Sequence, residues 1–584
     1  MDVVCGPLLR YIEIDYTKRI WYGSCLLVVN SCQPPTLSIS IIPCEPIQID
    51  MLDNFCNTYY FWRYKLALPL LNRPQCVSYT SHCLDRTFQF HLPAIQDSMR
   101  FMFYSCNGFS NVPETVRERY NEKEAPLWQD VLDKHQQSPF NVLLGGGDQL
   151  YQDDLISKDF MKPWVLEKDP TKRISMQLSE NMKNALENYY FWNYIKHFGC
   201  AASPAQTLVF ATIPSVNMWD DHDIIDGYGS YPADLQSSDC FQVLFANGAR
   251  FYYLFQQHTT IEETHGMIKG ELATCNHIVT TLGSSIGFLA LDARGERTKY
   301  QICTQASYDA VFKAINELPP TVKHLIVLTG VPLIYPRLTL FEKAMEAIAH
   351  LNLATLVGRI GTLGCIITQF LNSWNGDPEL LDDVNDHWTS TNHEGERRHF
   401  IERLQSFAQN TSIRVSFFGG DVHCCCTGRL YSNNTLPEKD PNFMIQIISS
   451  AIVNIPPPQI LLSILDQYYV PIAFSQDVTE DIYDLFDTTP EGQHTINKKL
   501  MGSRNYCIGS YDQAMDAIII ELHVEIIPGT KGTKRYAIHI PELALKDKAH
   551  NQKQMLDSKN NLMKEEDRVK TRKKHFSVRN LICF

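Results

Sequence analysis

Four short clusters of acid, imidazole, phenol and thiol side chains each stand directly after an apolar run. Phe101 to Tyr104 is followed by Ser105-Cys106-Asn107, which puts a thiol and an amide at the end of a strand-like run. Val142 to Leu144 is followed by Gly145-Gly146-Gly147-Asp148-Gln149-Leu150-Tyr151. Three glycines let the backbone turn tightly, so the carboxylate of Asp148 and the phenol of Tyr151 can project into one cleft. Leu208 to Ile213 is expected as a third strand, leading through Pro214 to Met218-Trp219-Asp220-Asp221-His222-Asp223. Val415 to Phe418 leads to Gly419-Gly420-Asp421-Val422-His423, where Asp421 and His423 stand two apart and, in extended backbone, lie on one side.

Three acids and a histidine within four positions repel one another unless cations hold them or solvent screens them. Directly after a buried strand, cations are the better explanation. Asp148 is either a carboxylate able to bridge two cations or part of an ordinary acidic loop. A phosphate-cradling glycine loop is disfavoured, because no Lys-Ser/Thr follows the glycines. Cys106 is either a thiolate ligand or a small buried hydrophobe. Cys424, Cys425 and Cys426 are assigned to packing, since three consecutive side chains cannot readily face one ion. Oxygen, nitrogen and sulfur donors together with a phenol suit a trivalent iron beside a harder divalent ion better than a lone structural zinc. Two such ions a few Å apart clamp the attacking and leaving oxygens of a phosphoryl transfer.

The elements that must position these groups read as α/β. Ile286 to Leu291 and Leu325 to Leu328 complete a set of apolar runs, ended by Gly or Asp, that alternate with longer helical segments. In such sheets chemistry collects just past the C-terminal strand ends. Residues 1–95 differ in texture. Tyr11 to Ile14, Ser24 to Val29, Thr36 to Ile42, Cys76 to Thr80 and Arg86 to His91 are short β-branched and aromatic segments between turn residues, which predicts a small β-sandwich ahead of a main domain over 96–540. From 541 to 584 the chain is charged. Lys546 to Asn580 carries 11 Lys/Arg against 5 Asp/Glu, a solvated tail or a basic arm for an acidic partner or a membrane surface.

The 584 residues are 44% apolar and 20% charged, a globular composition. A formal charge of −13 excludes a nucleic-acid-binding body, which needs a basic surface. Arg10, Glu13, Asp15, Lys18 and Arg19 interrupt the opening where a signal peptide would need an apolar run. The apolar runs Ile460 to Phe474 and Ala354 to Leu371 are broken by Asp466 and Arg359, so no transmembrane helix is expected. The 18 cysteines fall at no regular spacing and read as reduced thiols, which together point to the cytoplasm.

Ser105-Cys106-Asn107, Gly147-Asp148-Gln149-x-Tyr151, Trp219-Asp220-Asp221-His222-Asp223, Leu291-Asp292-Ala293-Arg294 and Gly420-Asp421-Val422-His423 occur in the order seen in PhoD-like phosphatases, which this chain resembles over roughly residues 95 to 540. The motifs are also similar to those of the purple acid phosphatases, within the calcineurin-like metallophosphoesterases. With Asp382-Asp383-Val384-Asn385-Asp386-His387-Trp388 ahead of Glu396-Arg397, the chain looks most like the long eukaryotic, fungal-style members. The resemblance implies an α+β fold with a central β-sandwich of mixed sheets flanked by helices, and an alkaline phosphatase or phosphodiesterase activity on a small phosphate ester. It implies one metal, ferric in type, on Cys106, Asp148, Tyr151 and His423, and a second such as calcium on Asp148, Asp221 and Asp421, with other divalent ions able to substitute. Asn107, Asn217, Asp220 and Asp386 remain further candidates. His222 would contact the phosphate or protonate the leaving oxygen, and a metal-bound hydroxide or oxide would attack phosphorus in line. Asn107 is a third expected catalytic residue. Arg294 would either pair with the substrate phosphate or form an ion pair with Asp292 or another acid. The competing reading is a non-catalytic descendant that uses the fold as a scaffold for protein or membrane contacts. Its signature would be lost ligands, and the six metal positions are all chemically competent.

Overall fold

The computed structural model describes residues 1–337 and 386–545, apart from 40–43, 55–56, 110–111, 200–201, 265–266 and 273. The basic segment Lys546 to Asn580, the Ala354 to Leu371 run and Asp382 to Asn385 lie outside the described residues.

The chain begins with seven strands: β1 (Val3–Asp15), β2 (Ile20–Val29), β3 (Leu37–Ile39), β4 (Pro46–Asn54), β5 (Asn57–Pro69), β6 (Gln75–Ser81) and β7 (Phe88–Leu92). Then come β8 (Phe101–Tyr104), β9 (Val142–Gly146) and β10 (Ser215–Met218), separated by helices. A second series follows: β11 (Ile268–Lys269), β12 (Asn276–Thr281), β13 (Ile286–Ala290), β14 (His324–Leu328), β15 (Arg414–Gly419), β16 (Cys425–Ser432), β17 (Met444–Ser449), β18 (Ile472–Ala473) and β19 (Val478–Ile482). The chain returns in β20 (Asn505–Asp512), β21 (Ala517–Glu525) and β22 (Thr533–Pro541).

These strands form two large mixed sheets and one small one, the α+β arrangement expected. The first has ten strands in the order β22-β21-β20-β8-β9-β10-β1-β2-β5-β4, and the second nine in the order β11-β12-β13-β14-β15-β17-β16-β19-β18. β8, β9 and β10 run parallel to one another in the first sheet, as do β13, β14, β15 and β17 in the second. The sheets meet where the ring of Phe418 on β15 packs against Phe103 and Phe101 on β8, with centroids 5.4 and 5.9 Å apart. On the neighbouring β20, residue 509 must be glycine, because a Cβ there would stand 1.9 Å from the Phe101 ring.

Helices cover the sheets by burying one stripe each. In Gln305–Asn316 the buried residues Ser307, Tyr308, Val311, Phe312 and Ile315 recur at helical spacing, and Thr304 caps the start by accepting from the Ser307 N–H. Phe400, Ile401, Leu404 and Phe407 do the same in Glu394–Thr411. Among the described residues no helix is long and apolar enough to cross a membrane.

Two expectations are corrected. Leu208 to Ile213 is not a strand; most of it lies in the helix Pro204–Thr212, and the strand is the next segment, β10. An apolar run of that length fits either element. Here Ser203, whose side chain accepts from the Gln206 N–H, and Pro204 in the first turn start a helix. Nor do residues 1–95 form a sandwich beside the main domain: β1 pairs in parallel with β10, Arg10 opposite Ser215, so β1, β2, β5 and β4 continue the central sheet. β3, β6 and β7 alone make a separate small sheet. Alternating strands without helices show β structure, but they do not show which edge the strands join.

Removing residues 1–94 would strip β1 from β10 and expose the buried Phe210 and Val216, together with the partners of the lost Tyr11, Leu26 and Phe61. The truncated chain is expected to be insoluble or to lack a cooperative melting transition; a soluble, cooperatively melting 95–584 fragment would show that the N-terminal strands are dispensable to the sheet.

Candidate functional site

The C-terminal ends of β8, β9, β10 and β15 bring the four sequence clusters together. After β8 the chain crosses to the loop after β9: the Cys106 N–H donates to the Gly147 carbonyl (3.1 Å) and the Asn107 N–H to the Asp148 carbonyl (2.7 Å). That loop is tied in turn to the one after β10 by the Gln152 N–H, which donates to the His222 carbonyl at 3.0 Å. Gly147 has φ +104°, and a Cβ there would stand 2.7 Å from that of Asp220, so the tight turn requires glycine. Cys106, Asp148, Asp421 and His423 all have φ between 49° and 66°. Left-handed backbone at non-glycine residues is strained, and it gathers where side chains must be aimed into a site.

The expected ligands converge. Cys106 Sγ lies 3.5 Å from Asp148 Oδ2 and 3.0 Å from Ser450 Oγ. Tyr151 packs against Cys106, and its hydroxyl is 3.1 Å from His423 Nε2. The Tyr151 and His222 rings are 4.3 Å apart. One ligand atom each from Asp148, Asp221 and His222 lies within 4.8 Å of the others, close enough to share a cation. Asp421 Oδ2 lies 3.5 Å from His387 Nε2. Cys106, Asp148 and Tyr151 form a buried floor, whereas His222, Asp421 and His423 are half-buried and line the open side.

The electrostatics show what the floor is missing. Burial, then the neighbouring carboxylates, hold the Asp148 carboxyl well above the ordinary range. Burial and then Asp148 do the same to the Cys106 thiol. Burial pushes Asp223 up to about 7 and the His423 imidazole down to about 3, His222 adding to the latter. Burial works against charge on His222, but Asp153, Asp221 and Asp148 outweigh it and raise its pKa well above the usual value. Asp148 Oδ1 is buried with no hydrogen-bond partner among the described residues. A buried acceptor left unpaired is costly, and a cation would satisfy it. Oxygen, imidazole, phenol and thiol donors around such an atom fit a metal ion, which binds by displacing their protons.

His222 therefore stands both among the acids that could hold a cation and on the open side. Its Nδ1 lies 2.9 Å from Asp153 Oδ2, which makes Asp153 the partner that sets the ring's orientation. Asp153 and His387 were missed as site residues. Asp153 lay in the acidic run after Tyr151, and His387 in the Asp386-His387-Trp388 motif, so both were visible without an assigned role.

Two expected catalytic residues are placed otherwise. Arg294 is fully buried and makes the ion pair that was the alternative reading, though not with the side chain of Asp292. Its Nε donates to Asp220, its Nη1 to Asp386 and the Tyr228 carbonyl, and its Nη2 to Asp221 at 3.2 Å and to Asp386. These contacts engage all five guanidinium N–H groups and leave none for a phosphate. Burial opposes the charges, yet the pairing keeps Arg294 well above and the Asp386 carboxyl below their ordinary ranges. Asn107 is likewise committed to structure: its Oδ1 accepts from Trp128 Nε1 at 2.7 Å and its Nδ2 donates to the Gln149 carbonyl at 3.2 Å. Of the further candidates, Asp220 and Asp386 are Arg294 partners, and Asn217 lies on β10 beside Gly145. Cys424, Cys425 and Cys426 are buried, Cys425 in one core and its two neighbours in the other.

The family model for PhoD related phosphatases matches residues 76–355 and 349–543, well over half of the chain. An uncharacterized protein of Saccharomyces cerevisiae is 29% identical over 572 residues, covering 86% of this chain and 80% of its own length. Among solved structures, an amylomaltase from Corynebacterium glutamicum matches at 9% identity over 21% of this chain and 19% of its own, with a TM-score of 0.10, too low to carry any argument.

Arg294→Met would leave Asp220 and Asp221 buried without their counter-ion and Asp386 with Arg297 alone, at 3.1 Å. Breaking such a pair destabilises by about 3–5 kcal/mol, so a large fall in the denaturation midpoint is expected. Arg294→Lys should recover only part of it, because an ammonium cannot supply five donors. A change below about 1 kcal/mol in Arg294→Met, the scale of a surface pair, would show that the guanidinium does not balance these charges.

Proposed function

We propose that this chain, which belongs to the PhoD related phosphatase family, is a metal-dependent hydrolase of phosphate esters. The observation that carries the reading is the unpartnered, buried Asp148 Oδ1 at the floor of a cleft lined by acid, imidazole, phenol and thiol groups. Cys106, Asp148, Tyr151 and His423 would hold a ferric-type ion, because a phenol oxygen beside carboxylate, imidazole and sulfur donors suits a strongly Lewis-acidic iron. Asp148, Asp221 and Asp421 would hold a harder ion such as calcium, since carboxylates favour hard cations. The chemistry such ions supply when bound is Lewis acidity: activation of water and neutralisation of the charge that develops on the phosphoryl oxygens.

The chain's own side chains do the rest. Asp148 sits between the two donor groups and is the carboxylate best placed to serve both. Asp153 anchors His222 at Nδ1, and Nε2, which lies 3.9 Å from Asp226 Oδ1 and beyond hydrogen-bond reach of it, would donate a proton to the leaving ester oxygen from the half-buried side of the cleft. The Arg294 network holds Asp221 in place by two contacts, its Oδ1 to Arg294 and its Oδ2 to the Gly227 N–H at 2.7 Å. A small phosphomonoester or phosphodiester is the substrate class.

The decisive experiment measures metal content and turnover together on a panel of phosphomonoesters and phosphodiesters with defined metals. Asp148→Asn is expected to lower the content of both metals and to reduce turnover roughly a thousandfold or more, equivalent to about 4 kcal/mol. Tyr151→Phe should lose the visible phenolate charge-transfer colour with a smaller loss of rate. If Asp148→Asn kept two metals and near-normal hydrolysis, the two-metal reading would be wrong. His222→Ala should keep both metals and lose rate most on substrates with poor leaving groups; loss of metal instead would make His222 a ligand rather than a proton donor.

A further inference from the structure

Away from the acid cluster, a cavity of about 790 Å³ opens against the N-terminal strands. Its floor follows from strand register. Arg10 on β1 lies opposite Ser24 on β2, and Ser24 opposite Lys65 on β5, so the three share one face of the sheet. Arg63, two residues before Lys65, is on that face too. The far wall is the segment His258, Thr259 and Thr264.

The charge here is unbalanced where it is deepest. Arg10, Arg63 and His258 are at least nine-tenths buried. Among the described residues the Arg10 guanidinium makes a single hydrogen bond, to the Gln257 carbonyl at 2.7 Å, and no ion pair with a carboxylate. Arg63 reaches the His258 carbonyl at 3.1 Å and Glu263 at 3.2 Å, but the Glu263 side chain is 63% exposed, and Arg63 Nε is buried with no partner among the described residues. Burial and then Arg63 lower the Arg10 pKa to about 10, with Tyr252 opposing, and burial followed by both arginines keeps His258 well below its ordinary value. The acids that line the cavity, Glu13, Asp15, Glu262 and Glu263, are at the partly or fully exposed rim, and Asp15 is already paired with Lys18 at 2.9 Å. Arg63 thus keeps one buried donor unpaired and Arg10 has no carboxylate to balance its charge, an arrangement that is costly without an anion.

We infer that this cavity is a second anion site, distinct from the acid cluster, that binds the phosphate group of a small phosphorylated molecule through Arg10 and Arg63. Guanidiniums pair with phosphate and carboxylate alike. The Thr259 hydroxyl already donates to the Glu263 carbonyl at 3.1 Å, and Ser24 Oγ is paired with His258 Nδ1 at 2.9 Å. Thr264 Oγ1, however, is buried with no partner among the described residues and adds a donor beside the guanidiniums, beyond what the two oxygens of a carboxylate can use, which favours a tetrahedral oxyanion. The cavity exceeds inorganic phosphate alone and leaves room for an organic substituent beside Tyr22.

The test uses full-length protein treated with chelator, so that no cation can hold phosphate at the acid cluster, and shown by circular dichroism and a cooperative melting transition to have kept its fold. Calorimetric titration with inorganic phosphate and with glycerol phosphate should show one saturable site in the millimolar range or tighter, with acetate at least about tenfold weaker. Tighter binding of glycerol phosphate identifies an organic phosphate as the ligand, and equal binding identifies the free anion. Arg10→Gln and Arg63→Gln should each weaken binding by about tenfold or more. Should either variant fail to fold, hydrogen exchange on the unaltered protein decides, because phosphate must slow amides within residues 257–264. Absence of saturable binding, acetate binding as well as phosphate, variants that bind like the parent, or exchange unchanged across 257–264 would each overturn the inference.

Discussion

The structure depends on keeping like charges together inside a protein. Asp148, Asp220, Asp221 and Asp223 are buried within a short distance of one another, Asp386 joins them from a segment distant in sequence, and Asp421 stands at their edge. Isolated carboxylates at such depth would take up protons or unfold the site. One guanidinium, Arg294, secures the rear of the group by binding Asp220, Asp221 and Asp386 at once. The front, around Asp148, has no cationic side chain except His222 among the described residues, and there the donor set suits metal ions. Ions bound there would link folding to ion binding, since ions that bind only the folded arrangement stabilise it.

This division separates support from chemistry. Groups at the back are saturated: Arg294 has no N–H to spare, and Asn107 is engaged at both ends. Groups at the front are less constrained and more accessible, His222 and His423 among them. The N-terminal strands are part of the same support. Gln257 accepts from Arg10 through its carbonyl and donates through its side chain to the Asn217 carbonyl at 2.7 Å, so β1 is fastened to the strand that carries the acids by side chains as well as by register.

Much of the candidate site was legible in sequence because each candidate ligand follows a short apolar run ended by glycine or acid, and parallel strands put such endings on one edge. Cys106, Asp148, Tyr151, Asp221, Asp421 and His423 could be gathered on that logic. What failed to show was pairing. Whether Arg294 faces substrate or acids depends on Asp220, Asp221 and Asp386, which lie 73 to 92 positions away and meet it only in the fold. The helix Pro204–Thr212 was misread because an apolar run carries no period, although Ser203-Pro204 marked its start. The N-terminal strands were recognisable as strands, but nothing local to them announced β10 as a partner.

That last pairing has a consequence for how the chain is made. β1 is made some two hundred residues before its parallel partner β10, and the strand beyond β8 on the other side, β20, follows only after a further three hundred or so. Until then β1 has only β2 along one edge, and the opposite edge offers unpaired N–H and C=O groups to any passing strand. Newly made chains thus pass through a long interval in which the N-terminal hairpins are formed and the sheet is open. In that interval, more than in the finished protein, a chaperone has something to protect.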